Sequence, residues 1–131
     1  MRSRILFISG RKQDARRLTQ MLHTLDVALD HAESVQHARA QLRQETYQVV
    51  LTEAALPDGQ WLEVLALARQ AAPEPQVIVT DSNADARFWA EALNLGAFDL
   101  LVQPFDESEV RRILDNACSR PATQTMHAGA A

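Results

Sequence analysis

The chain has 131 residues, 17 acids against 13 bases and a formal charge of −4. At 47% hydrophobic and 23% charged residues, it has the composition of one packed domain and not of a disordered tail. Net acidity argues against an electrostatic nucleic-acid binder, so no direct nucleic-acid contact is expected. No run of eighteen apolar residues is present, so no membrane span is expected. The opening stretch from Met1 to Ile8 is too short for a secretory signal. The lone Cys118 excludes an internal disulfide and fits a reducing, cytoplasmic compartment. Twelve of the bases are arginine and one is lysine, Lys12.

Short apolar runs alternate with helical patterns along the whole chain. Arg4 to Ser9 is a nearly all-apolar strand, as expected where both faces of a parallel sheet are covered. Asp14 to Leu25 spaces Ala15, Leu18, Leu22 and Leu25 as an amphipathic helix, with Arg16 and Arg17 outward. Val27 to Ala32 is a weaker strand, and Ser34 caps a helix lined by Val35, Ala38 and Leu42. Gln48 to Thr52 is a central strand, and Leu56-Pro57-Asp58-Gly59 is a turn. Leu62, Leu65 and Ala68 carry the next helix until Pro73 and Pro75 end it. Gln76 to Thr80 is the fourth strand, followed by a helix from Asn83 or Ala84 to Leu95 that Gly96 closes. Phe98 to Val102 is the fifth strand, and Asp106 caps a last helix with Val110, Ile113, Leu114 and Ala117 inward. Residues 1–120 are read as one domain, and residues 121–131 as a flexible tail or the start of a linker.

Five strands alternating with five helices predict an α/β fold with a doubly wound parallel sheet. In such a sheet the site lies beyond the carboxyl ends of the strands, which here are Ser9-Gly10, Thr52-Glu53, Thr80-Asp81 and Gln103-Pro104. The strand YQVVLT leading into Glu53, the LPDG turn, QVIVT and above all NLGAFDLLVQPFD resemble the receiver domains of two-component response regulators, over roughly residues 4–119. That resemblance implies a flavodoxin-like three-layer sandwich with strand order 2-1-3-4-5.

It also implies a chemistry. Two acids after the first strand hold a divalent cation, an Asp after the third accepts a phosphoryl group, and a hydroxyl and a lysine stabilise that group. Carried over by position, the acid pair falls on Ser9 and Gly10, the acceptor on Glu53 and the lysine on Gln103. The hydroxyl is kept as Thr80 and the proline as Pro104, which predicts a cis Gln103–Pro104 bond. The family's mobile aromatic falls on Leu100, and its turn glycine on Trp61.

The resemblance therefore implies a receiver-like signalling module, not an enzyme, that bypasses Mg²⁺-dependent aspartyl phosphorylation. Two alternatives stand beside it: atypical phosphorylation, or a small-anion site at Ser9, Gly10, Arg11 and Lys12 before the first helix. Glu53 carries two readings, a built-in mimic of the phosphorylated acceptor bonded to Thr80 and Gln103, or a polar residue in a vacated site. Asp81 either adds a carboxylate to the pocket or caps the following helix. Trp61 and Trp89 read as partly buried packing residues. No cofactor and no metal are expected, since His23, His31, His37 and His127 show no ligand spacing. Expected partners are a histidine kinase, an output or target protein, an effector domain outside this chain, and a second copy through the last two helices. Arg87, Trp89, Leu100, Arg111 and Arg112 are the interface candidates.

Overall fold

Each apolar run becomes a strand because covered sheet faces need side chains that shed water on both sides. In the computed structural model, which describes residues 3–83 and 85–119, the order is β1 (Ser3–Ile8), α1 (Lys12–Met21), β2 (Val27–Ala32), α2 (Val35–Gln44) and β3 (Val49–Glu53). There follow β4 (Ala55–Leu56), β5 (Gly59–Gln60), α3 (Trp61–Gln70), β6 (Gln76–Asp81), α4 (Ala86–Leu95), β7 (Asp99–Val102) and α5 (Glu107–Cys118). The main sheet runs β2-β1-β3-β6-β7 with every pairing parallel. Counting only its members, that is the expected order 2-1-3-4-5. The expected tail at 121–131, including His127, lies outside the described residues.

Strand alternation divides the core in two. Leu6, Ile8, Val50, Val79 and Leu100 face the layer built by α2, α3 and α4. Ile5, Phe7, Leu51, Ile78 and Leu101 face α1 and α5, where Leu18, Val110, Ile113 and Leu114 are buried. The four inward residues expected on the last helix are all in that second cluster.

Several boundaries differ from expectation for local reasons. The first helix stops at Met21, not Leu25, because the chain must reverse before β2 begins at Val27. Leu22 still buries its side chain as it leaves the helix. The third helix starts at Trp61, so a 3.6-residue period points Trp61, Val64, Leu65 and Ala68 inward and leaves Leu62 41% exposed. Asp85, and neither Asn83 nor Asp81, caps the fourth helix, its carboxylate accepting from Phe88 N at 2.8 Å. Ser34 and Asp106 cap α2 and α5 as expected. Gly96 ends α4 at φ +120°, where a side chain would be strained and would collide with Arg69.

The LPDG turn is a small antiparallel hairpin, β4–β5, closed by Pro57 and Asp58. Asp58 anchors it across the molecule: its carboxylate accepts from Val35 N at 2.8 Å and Gln36 N at 3.0 Å, at the start of α2. These two backbone bonds, Val35 first, hold the Asp58 carboxyl below the usual carboxylate range. A lowered folded-state pKa stabilises above the unfolded value, and the benefit fades as pH falls through the folded one. The melting-temperature gap between wild type and Asp58→Asn is therefore expected to be constant near neutral pH and to shrink below about pH 4. A gap that stays constant into acid would remove this role from the carboxylate.

Candidate functional site

The carboxyl ends of β1, β3, β6 and β7 open on a cavity of about 690 Å³, lined among others by Gly10, Glu53, Thr80, Asp81, Gln103 and Pro104. The Gln103–Pro104 bond is cis, as expected. Glu53 ends β3 half-buried and is held from two sides. Its Oε1 accepts from Gly10 N at 3.3 Å, and its Oε2 from Gln103 Nε2 at 3.3 Å. The expected bond to Thr80 is not formed. Thr80 is fully buried, and its Oγ1 has no hydrogen-bond partner.

The site holds a further carboxylate that no sequence motif marks. Asp14, in the first turn of α1, accepts from the same Gln103 Nε2 at 3.1 Å. One neutral amide group thus joins two carboxylates from different elements. An acid in a first helical turn is common for reasons of the helix dipole alone, so position gave no cue. The signal was the pairing of a first-turn acid with strand-end Glu53 across a site without lysine.

The stretch from Ser9 to Lys12 divides. Gly10 and Arg11 line the cavity, as does Arg17 one turn further along α1. Ser9 is buried and its hydroxyl turns back to accept from Arg11 N at 2.9 Å, while its carbonyl accepts from His31 Nε2 at 2.8 Å. Lys12 is 73% exposed, with Nζ 3.9 Å from Glu33 Oε1. Neither Ser9 nor Lys12 is among the cavity-lining residues. Asp81 belongs to the cavity and not to a cap.

Of the interface candidates, Leu100 is corrected: it is fully buried, packed in one cluster with Trp61 and Ala92, because β7 residues alternate between the two covered faces. Arg87 and Arg112 are exposed, Trp89 is half-buried against the core, and Arg111 pairs with Glu107 at 3.4 Å. Trp61 is 3% exposed and meets Phe88 edge-on at 6.5 Å, so it is core and not partly buried.

A divalent cation does not fit these donors. The positions after β1 supply no carboxylate, and the Ser9 hydroxyl is committed to Arg11. The Gln103 N–H donors point at the Glu53 and Asp14 oxygens that a cation would need. Among the described residues no group of three or more His, Cys, Asp or Glu is gathered to hold a metal. Nor is any helix among them long and apolar enough to cross a membrane.

Comparison with known proteins bears on the fold and the family. The response regulator protein PilR of Pseudomonas aeruginosa is 31% identical over 86 residues, covering 66% of this chain and 19% of that protein. This chain therefore spans about a fifth of that relative's length. The signal receiver domain of an HD domain-containing protein from Pseudomonas fluorescens superposes with a TM-score of 0.79 at 27% identity, covering 89% of this chain and 94% of that one. A two-component response regulator from Clostridium difficile shares the fold with a TM-score of 0.80 at 20% identity, covering 91% and 98%. Residues 5–115 match the response regulator receiver domain as a family, and the chain belongs to it.

Proposed function

We propose that this receiver domain signals without Mg²⁺-dependent aspartyl phosphorylation, with Glu53 standing at the acceptor position. Receiver domains are signalling modules of two-component systems that work with kinases and output domains. This one, in our reading, acts in the cytoplasm through protein contacts, on a histidine kinase, a target or an effector domain outside this chain. The exposed Arg87 and Arg112, with Trp89 and Arg111, would contribute to those contacts or to a dimer through α4 and α5.

The observation that carries the reading is the Gln103 amide shared by Glu53 and Asp14. Phosphoryl transfer needs positive charge on the equatorial oxygens, and losing one such stabiliser typically costs about 10²–10³ in rate. Here the cation ligands after β1 are absent and a neutral amide stands at the lysine position. Leu100, at the position of the family's mobile aromatic, is fully buried in the core.

Incubation with acetyl phosphate and Mg²⁺, followed by intact mass, is expected to leave the protein unmodified. Beryllofluoride with Mg²⁺ is expected to leave the amide spectrum unchanged around Glu53 and Thr80. A stoichiometric phosphoryl adduct would overturn the proposal.

A further inference from the structure

The strand-end cavity holds an imbalance that the proposed function does not use. Glu53, Asp14 and Asp81 all line it, and among the described residues none has an ion-pair partner. Glu53 and Asp14 share one uncharged donor group, and its bonds of 3.3 and 3.1 Å are long for a carboxylate acceptor. A second, independent feature is Thr80: it lines the same cavity, is fully buried, and its Oγ1 is unpartnered. A buried hydroxyl without a partner is unfavourable, so a ligand donor that reaches it is favoured. A staggered χ1 change can turn the hydroxyl towards the open space.

The group that satisfies these acceptors together carries several N–H donors and a positive charge. A primary ammonium has three donors and no acceptor, matching two carboxylates and one hydroxyl. Gln103 can present its amide oxygen in place of its nitrogen and become a further acceptor. Arg11 and Arg17 also line the cavity, are exposed, and have no ion-pair partner among the described residues. They oppose a bare cation and favour a molecule that brings its own carboxylate to the rim.

We infer that the cavity binds a small molecule with a primary ammonium at one end and a carboxylate at the other. The ammonium sits among Glu53, Asp14 and Thr80, and the carboxylate meets Arg11 and Arg17. The inference deepens the proposed function at the same site and rests on Glu53 remaining unmodified. Its consequence is a receiver domain set by a metabolite of ω-amino-acid type in place of a phosphoryl group.

The test is an NMR titration of the full chain with 6-aminohexanoate, and with hexanoate, inorganic phosphate and Mg²⁺ as separate probes. Saturable shifts at Glu53, Thr80 and Gln103 are expected with 6-aminohexanoate only. Thr80→Val, close in shape, is expected to keep the fold and to weaken binding about ten-fold or more, as loss of one bond to a charged group implies. Glu53→Gln is expected to weaken it similarly. Equal or tighter binding of hexanoate, phosphate or Mg²⁺ would overturn the inference, as would no shift at tens of millimolar 6-aminohexanoate. A failed titration with unchanged intact mass sinks this inference alone, whereas a phosphoryl adduct sinks the proposed function with it.

Discussion

Trp61→Ala is expected to destabilise the domain by about 3–5 kcal/mol in chemical denaturation, the range for emptying a large aromatic site in a core. Trp61 is 3% exposed at the start of α3 and packs edge-on against Phe88 of α4. It belongs to the cluster that also holds Leu65, Ala92, Ala97 and Leu100, and its indole joins α3 to α4 through Phe88. The neighbours are anchored to different elements, and a void there has little chance to collapse. Leu62, the adjacent residue, is 41% exposed, and Leu62→Ala is expected to stay within about 0.5 kcal/mol of wild type. Similar losses for both variants would mean that α3 faces the sheet in another rotation.

What the sequence discloses is uneven, and the unevenness has physical causes. The five main strands are legible because both faces of the sheet are covered, so Ile5 to Ile8 of β1 and Val49 to Leu51 of β3 are unbroken apolar runs. The caps at Ser34 and Asp106 are legible because a short polar side chain before an amphipathic stretch satisfies the first amides. On α3 the expected Leu65 and Ala68 do face inward, but Trp61 and not Leu62 joins them, because WLEVLALA is apolar nearly all round and its pattern does not single out one face. At the site, strand ends are predictable from topology, which is why Glu53, Thr80, Asp81 and Gln103 do line one cavity. Partners set by side-chain reach are not. Asp14 comes to Gln103 across 89 positions of chain, and Glu53 bonds to Gly10 and Gln103 while Thr80 Oγ1 is left without a partner. Asp58 likewise reaches α2 from a hairpin 22–23 positions away. Such long-range pairings have no local periodicity to betray them.

If, as proposed, the site takes no phosphoryl group because it lacks charge, supplying that charge should allow phosphorylation. Glu53→Asp alone is expected to stay unmodified by acetyl phosphate and Mg²⁺, since a shorter carboxylate adds no positive charge to the transition state. Combining it with Gly10→Asp and Gln103→Lys is expected to yield an acid-labile, EDTA-sensitive adduct, with each returned stabiliser worth about 10²–10³ in rate. The geometry admits both additions. A Cβ at Gly10 would lie 3.3 Å from Pro57 Cγ, so the β4–β5 hairpin must give by a few tenths of an ångström. A lysine at 103 would place its ammonium where one neutral amide now serves both Asp14 and the acceptor, turning a weak bridge into an ion pair. Ser9 is left as it stands, because it is fully buried and its hydroxyl closes the turn onto Arg11. Adduct formation by Glu53→Asp alone would show that the cavity already assembles a competent cation site, and the proposed function would fall. A folded triple variant that stays unmodified would show that missing charge is not what keeps this site from phosphorylation.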